Sequence, residues 1–153
     1  MDLFNSIRQG DTQSIKEILD SHPDLVNKPD ERGFTPLVMA TYSNQPAAVK
    51  LLLEKGAEIN AQDAAGNTAL MGVCFKGYKE IAVDLISKGA DLNIQNKKGA
   101  TALIYASQFN QPELVKLLLD SGADKNKIDS NGSTALEHAQ LQGVKLLIDM
   151  LKS

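Results

Sequence analysis

Residues 30–38 read D-E-R-G-F-T-P-L-V, and the pattern returns as D-A-A-G-N-T-A-L-M at 63–71, N-K-K-G-A-T-A-L-I at 96–104 and D-S-N-G-S-T-A-L-E at 129–137. Each copy begins 33 residues after the one before it, so one supersecondary unit is repeated along the chain. Units of this size bury their apolar side only against their neighbours. The pattern therefore predicts a stacked solenoid, and it points towards a function in binding.

Each unit is predicted to hold a tight turn and two antiparallel helices. Asp or Asn followed by Gly forms the turn, because Gly adopts positive φ at no steric cost. The Thr that follows can cap the first helix through its hydroxyl. A Gly or Asn at one shared position closes that helix, since these residues adopt the left-handed conformation most readily. The helix-closing residues are Asn44, Gly77, Asn110 and Gly143.

The later half of each unit is also repeated. It ends in L-L-L-E-K-G-A-E-I-N at 51–60, L-I-S-K-G-A-D-L-N at 85–93 and L-L-L-D-S-G-A-D-K-N at 117–126. Together with the turns, these segments resemble the ankyrin repeat, whose pattern is D-x-x-G-x-T-P-L-H followed by a helix pair and G-A-D-x-N. The resemblance extends over essentially the whole chain. It implies an all-α repeat solenoid, a single domain of residues 1–153 in which helix-turn-helix units carry β-turn or hairpin tips.

Five units are expected within this domain. An N-terminal capping unit at 1–29 precedes full repeats at 30–62, 63–95 and 96–128, and a C-terminal capping repeat occupies 129–153. The first unit has no Gly-x-Thr-Pro-Leu turn of its own. In the last unit Lys152 takes the position that Leu53, Ile86 and Leu119 hold in the full repeats. A charged residue there is typical of a terminal repeat, so we expect a complete array with two capped ends.

Composition limits the cellular setting and the class of partner. The chain has 153 residues and a net charge of −3, which gives no basic surface for nucleic acid or anionic membrane. It has no apolar run of roughly 20 residues and no secretory leader. A single cysteine excludes an internal disulfide. We therefore expect a cytoplasmic monomer whose partner is neither nucleic acid nor membrane.

Catalytic and metal-binding patterns are missing from the sequence. The two histidines, His22 and His138, fall in the first and last units, too far apart to share a metal ion. Cys74 takes the position of Thr41 and Ser107, which indicates a small thiol packed on the first helix. No phosphate-binding loop is present. The sequence predicts a protein that is not an enzyme and that binds no cofactor or metal.

One feature of the ankyrin pattern is absent. The histidine of T-P-L-H is replaced by Val38, Met71, Ile104 and Glu137. In the family this histidine helps to tie adjacent turns together by hydrogen bonds. We therefore expect looser turns in this chain.

The ankyrin resemblance also indicates where a partner would bind. In that family the turn tips and the exposed side of the first helices form a concave face. Four of the seven Phe and Tyr residues fall on these positions, and exposed aromatic residues commonly anchor protein interfaces. We expect partner contacts at Phe34, Tyr42, Phe75, Lys76, Lys97, Lys98, Gln108 and Phe109.

Two questions remain open at this stage. Neighbouring repeats can cover part of each aromatic ring, and the three lysines can be either a solvated rim or a contact site for an acidic partner. A non-catalytic adaptor or inhibitor that binds a protein or peptide is the leading interpretation of function. The alternatives are a nucleic-acid-binding protein that uses the lysines and aromatic rings, and a redox accessory protein that uses Cys74.

Overall fold

A computed structural model describes residues 2–153, and over this range the chain forms ten α-helices, one 3-10 helix and no β-strand. The helices form five antiparallel pairs: α1 Leu3–Gln9 with α2 Thr12–Ser21, α3 Pro36–Tyr42 with α4 Pro46–Glu54, α5 Ala69–Lys76 with α6 Lys79–Ser87, α7 Ala102–Gln108 with α8 Pro112–Asp120, and α9 Ala135–Gln142 with α10 Lys145–Lys152. The 3-10 helix Pro23–Asn27 follows α2. None of these helices is long and apolar enough to cross a membrane.

The pairs stack in chain order, which makes the molecule the solenoid that the repeat predicts. The first helices α1, α3, α5, α7 and α9 form one row, in which each helix contacts the next. The second helices α2, α4, α6, α8 and α10 form a parallel row behind it. A single apolar core runs between the rows, with Ile15, Leu52, Leu85, Leu118 and Leu147 at 2% exposure or less. No unit could bury these side chains alone.

The predicted helix ends are confirmed. The hydroxyl oxygens of Thr35, Thr68 and Thr101 accept hydrogen bonds from the N–H groups of Val38, Met71 and Ile104 at 3.1, 3.3 and 3.2 Å. Asn44 and Asn110, which were predicted to close first helices, have φ angles of 51° and 52°. Local sequence chemistry therefore sets where each first helix begins and ends.

Adjacent turns are linked by hydrogen bonds although the histidine of the family pattern is absent. The N–H of Lys97 donates to the carbonyl of Ala65 at 3.1 Å, and that of Ser130 donates to the carbonyl of Lys98 at 2.9 Å. The amide of Gln95 donates to the carbonyls of Gly99 and Ile128, each at 2.9 Å. The turns of these units are thus hydrogen-bonded to each other without that histidine, and the expectation of looser turns stays a prediction.

Neighbouring units are also joined by hydrogen bonds to an asparagine that follows the second helix of each unit. The side-chain oxygens of Asn27, Asn60 and Asn93 accept hydrogen bonds from backbone N–H groups of the following unit, each at 2.8 Å. Asn27 lies at the end of the 3-10 helix Pro23–Asn27. This helix brings Asn27 into the same bonding position as Asn60 and Asn93 in the following units.

Candidate functional site

A hollow of about 510 Å³ lies on the side of the stack that the turns and first helices form. It is centred on the second and third full repeats. Aromatic side chains supply much of its lining, namely Tyr42, Phe75, Tyr105 and Phe109. Its other lining residues include Asn67, Gly72, Lys98, Ala100, Gln108, Asp129, Asn131 and His138.

Gly72 in α5 leaves a space that the Tyr42 ring occupies. The equivalent positions in the neighbouring units carry Met39, Tyr105 and His138. A Cβ atom on Gly72 would lie 2.8 Å from Cε1 of Tyr42, closer than real contacts of this kind. The missing side chain therefore leaves room for the Tyr42 ring to lean over the second full repeat.

Phe75 and Phe109 form the exposed aromatic side of the hollow. Their ring centroids are 4.6 Å apart with an interplanar angle of 84°, an edge-to-face contact. Tyr105 extends this group, with its centroid 5.8 Å from that of Phe109. Phe75 is 44% exposed and Phe109 is 38% exposed. Every other aromatic side chain within residues 2–153 is less exposed than these two.

Phe34 and Tyr42 are half-buried, because neighbouring side chains cover part of each ring. Their centroids are 5.8 Å apart in an edge-to-face contact, and the guanidinium of Arg32 lies 5.0 Å from the centre of the Phe34 ring. Burial, followed by the nearby Asp63 carboxylate, raises the pKa of Tyr42, which keeps its hydroxyl neutral. The four predicted aromatics thus form two separate pairs, and Tyr42 and Phe75 both line the hollow.

Asn96 holds the Tyr105 ring in place. Its side-chain nitrogen donates to the Tyr105 hydroxyl at 2.7 Å and to the side-chain oxygen of Asn67 at 2.8 Å. Its own oxygen accepts from the N–H groups of Lys98 and Ala100. The other full turns carry Asp here, which could close the turn but could not donate to Tyr105. The third full repeat therefore has a neutral residue where its neighbours have a carboxylate.

Asp129 and His138 are the equivalent pair in the last unit. The Nε2 atom of His138 lies 2.7 Å from one Asp129 oxygen, and the other oxygen accepts from the N–H groups of Asn131 and Ser133 at 3.0 Å. Burial raises the pKa of Asp129, but these hydrogen bonds outweigh it, and the net effect lowers the pKa. Both oxygens of this carboxylate are therefore already occupied.

The remaining predicted residues surround the hollow at different distances. Lys98 and Gln108 line it directly. Lys97 faces the groove between the second and third full turns, and Lys76 is the exposed last residue of α5. Within residues 2–153 none of the three lysines forms an ion pair.

Sequence reasoning did not select Gly72, Tyr105 or Asn96, although all three shape the hollow. Each one departs from its equivalents in the neighbouring units. Gly72 is a glycine inside a helix, and Asn96 replaces the turn Asp. Comparing aligned repeats position by position for such exceptions would have found both.

Cys74 is fully buried in α5, and its chemistry differs from that of a redox-active thiol. Desolvation raises the pKa of Cys74 to about 12, so the reactive thiolate is scarce at neutral pH. This placement gives the redox alternative no support. In the part of the chain that the structure describes, no group of three or more His, Cys, Asp or Glu residues could hold a metal ion.

Comparison with known proteins identifies the repeat. The family described as "Ankyrin repeats (3 copies)" matches residues 3–63 and 70–152. The chain belongs to the ankyrin-repeat family. Ankyrin repeats are in general non-catalytic modules that bind other proteins.

Individual ankyrin relatives match part of the chain. "Ankyrin repeat and SAM domain-containing protein 6" of Rattus norvegicus is 41% identical over 61 residues, which is 40% of this chain and 7% of the rat protein. "DNA-binding protein RFXANK" of Homo sapiens is 50% identical over 50 residues, or 33% of this chain and 19% of the human protein. "Scaffold protein ILK" of Cavia porcellus is 34% identical over 59 residues, or 39% of this chain and 13% of that protein. The aligned segments thus span less than a fifth of each of these relatives.

Proposed function

We propose that this ankyrin-repeat chain is a non-catalytic interaction module that binds a protein or peptide on the face formed by its turns and first helices. The observation that carries the proposal is the exposed pair Phe75 and Phe109 beside the hollow. Large aromatic side chains in the centre of a binding surface supply much of the affinity of protein complexes. A pair of rings held in mutual contact also loses little side-chain freedom on binding.

The proposed contact surface also includes Phe34, Tyr42 and four polar residues around these rings. Half-buried rings such as Phe34 and Tyr42 have less area to offer, so we assign them a smaller share of the affinity. The polar residues Lys76, Lys97, Lys98 and Gln108 would form the rim. Rim charges mainly set the association rate and its salt dependence.

We also propose that the protein is a monomer in the cytoplasm, a compartment that keeps thiols reduced. The lone cysteine is consistent with this setting. We propose that the first and last units cap the stack, and the Lys152→Leu variant tests this for the last unit.

The test compares substitutions on the two faces of the second full repeat. The chain is used to capture proteins from a lysate of the organism that encodes it, and the affinity for each captured protein is measured by calorimetry. We expect Phe75→Ala to weaken binding by about 2 kcal/mol, or roughly thirtyfold. Val83→Ala is the matched control, because Val83 is 42% exposed on α6, the second helix of the same repeat.

Substitutions at other positions test further which face of the stack binds the partner. Tyr42→Ala should weaken binding less than Phe75→Ala, and Lys97→Ala should change mainly the association rate and its salt dependence. None of them should unfold the protein. A partner that tolerated Phe75→Ala and Tyr42→Ala but was lost on substitution of Lys50 and Lys116, which lie on α4 and α8, would contradict binding on this face.

A further inference from the structure

The hollow has room for a large apolar side chain against an aromatic wall. Phe75, Tyr105 and Phe109 form that wall, and the Tyr42 ring packs over Gly72 beside it. Asn96 fixes Tyr105 through a hydrogen bond of 2.7 Å, so this part of the wall is held in place before any ligand arrives. A preformed aromatic wall of this kind favours contact with an aliphatic or aromatic side chain.

The rim of the hollow has groups suited to a peptide backbone. Gln108 and Asn131 line it, and within residues 2–153 neither side-chain amide has a hydrogen-bond partner. Each amide carries a donor and an acceptor, which match the carbonyl and N–H groups of an extended segment. These groups favour a linear peptide over a purely apolar small molecule.

The lining of the hollow carries one lysine and one carboxylate. The carboxylate is Asp129, and both of its oxygens accept hydrogen bonds or lie against His138 within its own unit. The turn nearest to Tyr105 carries neutral Asn96 instead of Asp. Lys98 lines the hollow without forming an ion pair among residues 2–153, so its ammonium group is available to a ligand.

This arrangement contrasts with the second-helix side of the stack. Five lysines there lie within 4 Å of a carboxylate, in the pairs Lys16–Asp20, Lys50–Asp84, Lys79–Glu113, Lys116–Asp120 and Lys145–Asp149. Lys76, Lys97 and Lys98 have no such partner among residues 2–153. A chain of net charge −3 thus carries three lysines without an ion-pair partner around its exposed aromatic rings.

We propose that the hollow binds a linear acidic segment of a partner, which packs one large apolar side chain against Phe75, Tyr105 and Phe109 and places an adjacent Asp or Glu carboxylate on Lys98. This inference rests on the proposed function and narrows it to one class of partner. Lys97 and Lys76 attract the rest of the acidic segment by longer-range electrostatics. The apolar side chain supplies most of the affinity, and the carboxylate selects the sequence.

Random linear peptides displayed on phage provide the test, with the full chain immobilised as bait at low salt. We expect the enriched peptides to share a large apolar residue with Asp or Glu next to it or one residue away. Synthetic peptides of the enriched sequence are then labelled with fluorescein, and their affinities are measured by fluorescence anisotropy.

Three variants of the chain assign the contacts. We expect Phe109→Ala to weaken peptide binding roughly thirtyfold. Lys98→Gln should weaken it by up to roughly fivefold at low salt, and that difference should shrink at high salt. Lys88→Gln is the matched control and should leave binding unchanged, because Lys88 is exposed at the end of α6 on the opposite side of the stack. Circular dichroism checks that each variant is folded.

The outcomes separate this inference from the proposed function. Enriched peptides that need Phe75 and Phe109 but are neutral or basic, or that bind Lys98→Gln as well as the parent chain, overturn the acidic-segment inference alone. Failure to enrich any peptide that depends on Phe75 or Phe109 overturns the inference. If proteins captured from the lysate also ignore Phe75→Ala, the proposed function is overturned with it.

Discussion

Asp20 connects two units through a single carboxylate. One oxygen lies 2.7 Å from Nζ of Lys16, on the same helix, and the other lies 2.5 Å from Nζ of Lys55, at the end of α4. Hydrogen bonds from Lys16 and then Lys55 lower the pKa of Asp20 from 3.8 to about 2. The side chains are largely exposed, so solvent screens the pair, and its effect on stability is small.

The lowered pKa of Asp20 predicts a direction of pH dependence. A carboxylate whose pKa is lower in the folded state stabilises that state above its ordinary pKa, and this contribution is lost as the pH falls from 3.8 to about 2. We expect an NMR titration of the Asp20 carboxyl carbon to give a midpoint near 2, and Lys55→Gln to raise that midpoint. Lys145→Gln serves as the control, because Lys145 pairs with Asp149 in a different unit. A midpoint near 3.8 in the parent chain would show that the ion pairs do not persist in solution.

Asn96 illustrates what a single residue adds to a repeated scaffold. Any Asp or Asn can close this turn by accepting backbone N–H groups, as Asp30, Asp63 and Asp129 do. Only Asn can also donate to the Tyr105 hydroxyl. Because this turn has Asn instead of Asp, it also lacks a negative charge next to Lys98. One substitution therefore orients a wall of the hollow and alters its electrostatics.

At the scale of the helix, α8 carries the inner apolar stripe of the third full repeat. Leu114, Val115 and Leu118 are at most 2% exposed, and α8 contacts α6, α7 and α10. A helix of nine residues is too short to be stable alone, so its structure depends on these contacts.

Leu118→Ala should destabilise the whole stack. We expect a loss of roughly 2–5 kcal/mol, because removing a fully buried leucine leaves a cavity between rigid neighbours. Urea denaturation followed by circular dichroism measures the change. Leu141→Ala is the matched control, since Leu141 is 86% exposed and its loss should cost little. Equal stability of the two variants would show that the helical register assigned to α8 is incorrect.

The helices could be predicted from the sequence because their determinants are local. Thr35 and its equivalents lie next to the backbone groups that they cap, and Asn44 and Asn110 sit where their own conformation ends a helix. The cross-links from Gln95 and Asn27 were not predicted. Each depends on the distance between two stacked units, which no short window of sequence contains.

In the assembled stack, several residues that the sequence singled out for partner contacts lie together at one hollow, although its shape was not predicted. Phe75, Phe109, Lys98 and Gln108 were predicted from the ankyrin register, and all four line the hollow. The half-burial of Tyr42 was left open, because it depends on the missing side chain of Gly72 in the next unit. A residue's exposure in a solenoid is a property of two units, and a repeat alignment describes one at a time.

The exposed side of α10 in the last unit bears on whether the protein is a monomer. Lys152 is exposed on α10, one helical turn beyond half-buried Ile148, whereas its equivalents Leu53, Ile86 and Leu119 pack against the core. Lys152→Leu would extend the apolar stripe on the outer side of α10, and each leucine buried between two molecules contributes about 1.5–3 kcal/mol. We therefore expect self-association that rises with concentration, measured by size-exclusion chromatography with light scattering, while the helical content stays unchanged. Lys88→Leu makes the same chemical change at an inner unit and should remain monomeric. A monomeric Lys152→Leu variant at high concentration would contradict the assignment of this unit as a cap.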